Sequence, residues 1–136
     1  MPTILVVDDS PTIRRMVKAS LDAVPNTAFV EAASGLQAIE AVAVTAVDLV
    51  VLDLNMPDMH GLDVLRFVRS HDHYKDVPVL VLTTRGDGMS RDSALQAGAS
   101  AYMTKPFLPG ALESSVKDLL ALARTQGRSS VPSNEL

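Results

Sequence analysis

The chain of 136 residues carries a net charge of −4 and no cysteine, with an isoelectric point near 5.2. That length fits one domain with a single sizeable core, and an acidic balance without any basic block beyond Arg14, Arg15 and Lys18 argues against direct nucleic-acid binding. Disulfides and thiolate metal sites are excluded, and no apolar run approaches the roughly 18 residues of a membrane span, so a soluble, cytoplasmic protein without membrane insertion is expected.

In chain order, short runs rich in Val, Ile and Leu alternate with segments of helical periodicity, the βαβα pattern of a parallel sheet covered on both faces. Thr3 to Val7 reads as the first strand. Ser10 then serves as N-cap with Pro11 at the first helical position, and Ile13, Met16, Val17, Leu21 and Val24 are expected on one buried face of a helix ending near Pro25-Asn26. Ala28 to Ala32 forms the second strand. Ser34-Gly35-Leu36-Gln37 fits a capping box that opens a helix running to about Thr45, with Ile39, Val42 and Ala43 inward. Leu49 to Leu52 is the third strand, followed by the Met56-Pro57-Asp58 turn and, after Gly61, a helix with Leu62, Leu65 and Val68 on one side. His71 to Val77 is a polar connection before the fourth strand at Val79–Leu82. The fourth helix, Ser90 to Gln96, has little beyond Ala94 and Leu95 to bury and is expected to hold least firmly. Ala101 to Thr104 is the fifth strand, and Leu112, Val116, Leu119, Leu120 and Ala123 mark a well-patterned fifth helix. The domain is expected to span 1–123, with 124–136 a disordered tail or the start of a linker.

In a parallel sheet the C-terminal strand ends share one edge, and ligands bind in the crevice outside it. Asp8 and Asp9 follow the first strand, Asp53 the third, Thr83 the fourth and Lys105-Pro106 the fifth. Carboxylates converging there with one lysine suit a divalent cation and a phosphoryl group rather than an apolar ligand. Two like charges about 4 Å apart repel by roughly 4 kcal/mol at an effective dielectric of 20, so the acids need a cation among them. Mg²⁺ fits, because it accepts a few carboxylates and keeps other positions for water or phosphoryl oxygen.

Val-Val-Asp8-Asp9-Ser10, Asp53-Leu54-Asn55-Met56-Pro57-Asp58, Thr83-Thr84 and Lys105-Pro106, in this order and spacing, resemble the signature set of response-regulator receiver domains, and the Asn55-Met56-Pro57 turn with Gly61-Leu62 is most similar to single-domain chemotaxis regulators. The resemblance covers Thr3 to about Ala123. It implies a flavodoxin-like (βα)5 fold, a five-stranded parallel sheet in the order 2-1-3-4-5 with five helices on both faces. It also implies that Asp53 is the phosphoacceptor, taking its phosphoryl group from a histidine kinase, a phosphotransfer protein or a small acyl phosphate, so that the chain is no enzyme in the usual sense although it assists its own phosphorylation and dephosphorylation. By the same resemblance Asp9, Asp53 and the Asn55 backbone carbonyl bind Mg²⁺ (with Mn²⁺ able to substitute), and Asp8 acts largely through water. Lys105 offsets charge on the transferring group, Pro106 follows a cis bond, and Thr83 and Tyr102 form the switch. The output would be a downstream protein bound through the helix-four, strand-five, helix-five face. Asn55 and Arg85 occupy the positions that tune dephosphorylation, and Arg85 departs from the acid or amide usual there.

Each motif has a plainer reading. Asp8-Asp9 alone could be a charge pair at a helix N-terminus, Thr83 and Thr84 strand-end hydroxyls, Lys105 a solvated lysine and Tyr102 core packing. His71 and His73 lack a third ligand and read as solvated, and His60 has no assigned role. Asp53-Leu54-Asn55 is no calcium loop, because Asp58 stands where glycine is needed and Val64 where the bidentate acid belongs. An aspartyl-phosphate phosphatase needs a second acid two residues after its nucleophile, where this chain has Asn55. A nucleotide-binding domain needs a glycine-rich loop after the first strand. A receiver cut from a larger regulator or hybrid kinase remains an alternative to a single-domain protein.

Overall fold

The computed structural model describes residues 2–84 and 91–125. Among them five strands and five helices alternate: β1 (Thr3–Val7), α1 (Pro11–Ser20), β2 (Ala28–Ala32), α2 (Gly35–Val44), β3 (Leu49–Leu52), α3 (Gly61–Ser70), β4 (Val79–Thr84), α4 (Arg91–Gln96), β5 (Ala101–Lys105) and α5 (Pro109–Thr125). The strands form one parallel sheet in the order β2-β1-β3-β4-β5, as expected.

Alternation along the central strands builds two separate cores, because successive side chains leave a strand on opposite faces. Leu5, Val7, Val50, Leu52, Val79 and Val81 pack with Ala38, Val42, Val64, Leu65, Val68 and Ala94 of α2, α3 and α4. Ile4, Val6, Leu49, Val51, Leu80 and Leu82 pack with Val17, Leu21, Leu112, Val116 and Leu120 on the side of α1 and α5. The continuous apolar runs of β1, β3 and β4 follow from this two-sided burial, whereas the edge strands β2 and β5 are only partly buried.

Helix faces differ from expectation in two places. Met16 is 45% exposed: Ile13, Val17 and Leu21 already cover the sheet at i, i+4 and i+8, and Met16 stands beside that stripe. In α2 the buried residues are Gly35, Ala38 and Val42, and Ala43, a further 100° around the helix, faces out. The α1 helix ends at Ser20, earlier than expected, and successive turns carry Leu21 and Val24 into the core. At the other end of the chain α5 continues to Thr125, two residues beyond the expected limit; residues 126–136 lie outside those described. In α4 Ala94 is the buried residue and Leu95 is 38% exposed; Ser90, where that helix was expected to start, lies outside the described residues.

One half-buried guanidinium ties the α3 side together. Arg69, at the end of α3, donates to the carbonyls of Gly98 (2.9 Å), Lys75 (2.9 Å) and Val77 (2.6 Å) and to Ser100 Oγ (3.3 Å). Loss of solvation pulls its pKa below the usual value, and nearby Asp76 works against that. Gly98 has φ +112°, and a Cβ there would press on the Arg69 side chain, so the turn after α4 is fitted to this arginine.

Candidate functional site

The strand register sets the site. Val7 pairs with Leu52 and Leu52 with Val81, so the chain leaves β1 and β3 at one level, and β4 runs on three residues past it to Thr84. The ladder continues one residue further, through Asp8 N–H to the Ala32 carbonyl (3.0 Å) and Asp53 N–H to the Val7 carbonyl (2.9 Å). Asp8 and Asp53 are thereby placed side by side at the sheet edge, both 2% exposed, and Asp9 beside them is exposed. One carboxylate oxygen from each of the three lies within 4.8 Å of the others.

Lys105 closes the cluster from β5. Its Nζ lies 2.8 Å from Asp8 Oδ2 and 3.3 Å from Asp53 Oδ1, and the peptide that follows, Lys105-Pro106, is cis. Asp8 Oδ1 accepts from Ser10 N–H (2.9 Å), so both of its oxygens are engaged. Asp53 Oδ1 also accepts from Asn55 N–H (3.2 Å). Among the described residues no hydrogen bond reaches Asp53 Oδ2 or the Asp9 carboxylate.

Burial raises the Asp53 pKa above the usual carboxylate value, the Asp8 charge adds to this, and Lys105 and the Asn55 amide only partly offset it. For Lys105 burial acts to lower the pKa, but hydrogen bonding to Asp8 and the charges of Asp53 and Asp8 outweigh it, so the ammonium is held above its usual value.

Three supports of this cluster were not evident in the sequence. Arg14 on α1 donates from one guanidinium nitrogen to the Asp8 carbonyl (2.6 Å) and from Nε to Glu31 on β2 (2.8 Å). Lys18 joins Glu31 at 2.6 Å, and these two cations lower the Glu31 pKa. Gly61 donates to the Leu54 carbonyl (2.8 Å), and a Cβ there would stand 2.5 Å from the Asp53 carbonyl oxygen and 2.6 Å from Leu54 Cα. Finally, Asp58 binds the first amides of α2, Gly35 (3.0 Å) and Leu36 (3.0 Å). The sequence shows Asp58 only as a turn residue and Gly61 only as the residue before a helix, and Glu31 lies 17 positions from Arg14 while Gly35 and Leu36 lie 23 and 22 positions from Asp58.

Thr83 is fully buried at the end of β4, and half-buried Tyr102, paired with Val81, packs against the core on the α2–α4 side. Arg85 lies outside the described residues. His60 receives a structural role: as N-cap of α3 its Nδ1 accepts from Leu62 N–H (3.1 Å). His71 stacks with Phe67 and Tyr74, and among the described residues neither His71 nor His73 joins a metal-binding group.

Residues 4–117 match the family model described as the response regulator receiver domain. The chain belongs to that family. A "Chemotaxis protein CheY homolog" of Campylobacter jejuni is 35% identical over 125 residues, covering 91% of this chain and 96% of its own. "Transcriptional regulatory protein KdpE" of Mycobacterium tuberculosis is 41% identical over 107 residues, 79% of this chain but 46% of that longer protein. The solved chemotaxis response regulator CheY4 of Vibrio cholerae superposes with a TM-score of 0.78 at 32% identity, over 88% of this chain and 98% of its own. The chain is therefore a CheY-like receiver, a signalling domain of two-component systems. Receiver domains bind Mg²⁺ in an acidic pocket, and the three carboxylates fit a hard cation that prefers oxygen ligands. Among the described residues no helix is long and apolar enough to cross a membrane.

Proposed function

We propose that the chain is a phosphoacceptor response regulator in which Asp53 takes a phosphoryl group from a phosphohistidine, or from a small acyl phosphate, and passes the signal to a protein partner. One Asp53 carboxylate oxygen attacks phosphorus. The new O–P bond forms as the P–N bond of phosphohistidine, or the P–O bond of the acyl phosphate, breaks, and the electron pair leaves with the imidazole nitrogen or the carboxylate. Oδ2 is the oxygen whose lone pairs are uncommitted among the described residues, and Oδ1 is held by Asn55 N–H and Lys105. The Lys105 ammonium, already beside Asp53, transfers its attraction to the incoming phosphoryl oxygens.

Asp9, Asp53 and the Asn55 backbone carbonyl would hold Mg²⁺ or Mn²⁺ directly, and Asp8 through water. This division agrees with an Asp8 carboxylate occupied by Ser10 and Lys105 beside an Asp9 carboxylate open to the crevice. When bound, the cation neutralises charge that develops on the transferring phosphoryl oxygens. Thr83 would bond the modified Asp53, Tyr102 would turn into the space beside it, and the α4–β5–α5 face would change its affinity for a target. Asn55 and Arg85 would set the lifetime of the phosphoryl group. The receiver would span residues 1–123, with 124–136 as tail or linker. KdpE, twice the matched length, keeps open the alternative of a receiver joined to a further domain.

The observation that carries this reading is the convergence of Asp8, Asp9 and Asp53 with Lys105 bridging two of them. Mass spectrometry after incubation with acetyl phosphate and Mg²⁺ tests it. One added phosphoryl group is expected, dependent on Mg²⁺ and missing from Asp53→Asn; label retained by the variant overturns the assignment.

A further inference from the structure

The segment between β3 and α3 carries Asn55, and it is fixed at two points. At its base Gly61 N–H closes on the Leu54 carbonyl (2.8 Å). At its far side Asp58 spans to α2, one carboxylate oxygen accepting from Gly35 N–H and the other from Leu36 N–H, each at 3.0 Å. These are two of the amides that a helix start leaves without an intrahelical partner, and the Ser34 hydroxyl takes the next, Gln37 N–H (3.1 Å). Met59 packs against Gly35 so closely that a Cβ on that glycine would overlap its side chain. Asn55 thus lies between a closed base and a two-pronged tether, while Asp58 itself is exposed.

We propose that Asp58 is a positioning residue for the cation site: by gripping the first turn of α2 it holds the 54–61 segment in the shape that presents the Asn55 carbonyl beside Asp53. This rests on the Mg²⁺ site proposed above. The two amides also hold the Asp58 carboxyl below the usual range, so it grips as the full anion across neutral pH. A carboxylate at the N-terminus of α2 additionally meets the positive end of that helix. Because Asp58 contributes nothing to either core, its effect on the cation can be separated from its effect on folding.

The test combines Mg²⁺ titration with amide hydrogen exchange, both followed by NMR on the full chain. Asp58→Ala should weaken Mg²⁺ binding about tenfold, the lower end of what the loss of a ligand-orienting partner costs, and should speed exchange of the Gly35 and Leu36 amides. Asp58→Asn, which keeps one acceptor oxygen, should fall between, and serves if the alanine variant does not fold. Coupling is reciprocal, so Mg²⁺ added to the wild type should slow exchange at Gly35 and Leu36 by a similar factor. A folded Asp58→Ala with wild-type Mg²⁺ affinity overturns the proposal, as does Gly35 and Leu36 exchange that ignores Mg²⁺. A wild-type chain that binds no Mg²⁺ at all instead overturns the cation site on which the proposal stands.

Discussion

Lys105 stands between two carboxylates that repel each other, and the balance at this point decides both chemistry and stability. Because the Asp53 pKa is raised on folding, the native chain holds that proton to higher pH than the unfolded chain does. The contribution of Asp53 to stability is therefore present in acid and is lost as pH rises from the unfolded value, near 4, through the raised folded one. At neutral pH without Mg²⁺, Asp53→Asn should raise the melting temperature by about 4 °C, corresponding to about 1 kcal/mol. The gain should disappear below about pH 4, where both proteins are neutral at this position; a gain that is independent of pH would show that charge is not its source. Lys105→Ala should act oppositely, lowering stability by about 2 kcal/mol because it leaves two buried carboxylates uncompensated. Asp53→Asn placed in that background should restore most of the loss, which denaturant unfolding of the four proteins measures directly. The sequence marked Asp8, Asp9, Asp53 and Lys105 because each ends a strand, and strand ends meet. It carried no sign of Arg14 gripping the Asp8 carbonyl, since that contact depends on how α1 lies against β2.

At the scale of elements, strands buried on both faces were legible as apolar runs, and helix starts were legible as Ser10-Pro11 and Ser34. The helix faces were less so: a period of 3.6 leaves the width of the buried stripe open, which is why Met16 and Ala43 turned outward. Even the expected capping box is offset, with Gln37 Oε1 accepting from Ala33 N–H (2.8 Å) and not from the Ser34 amide. In the sequence Gly61 is only the residue before a helix, whereas its lack of a side chain serves the backbone that carries Asp53. Gly61→Ala must push the 54–61 segment away, at a cost of about 1–3 kcal/mol typical of overpacking. It should weaken binding of the phosphoryl mimic beryllofluoride together with stability, as a titration monitored by ¹⁹F NMR would reveal. For the output face, α4 offers one buried side chain, Ala94, yet its following turn is held by Arg69. Motion should therefore be greatest at the end of α4 nearest Thr83. Addition of beryllofluoride and Mg²⁺ is expected to shift amide signals from Asp53 and Thr83 out to Ala94, Leu95 and Tyr102, with Gly98 and Ser100 moving least. Shifts confined to Asp8, Asp9 and Asp53 would disconnect the site from that face.

Across the whole molecule the site occupies one edge of a sheet whose two faces are packed by different residues. Among the described residues the α1–α5 core and the α2–α3–α4 core lie on opposite faces of the sheet and share no buried side chain. Val17→Ala on one side and Val68→Ala on the other should each cost roughly 1–3 kcal/mol, and the double variant should lose the sum to within about 0.5 kcal/mol. A larger discrepancy in urea unfolding would mean that the sheet transmits packing strain from face to face. Additivity of that kind has an evolutionary consequence. One face can be repacked to suit a new partner while the opposite face, and the register that aligns the acids, keeps its inherited packing. A lineage of such domains could thus diversify what it speaks to without rebuilding the chemistry by which it listens.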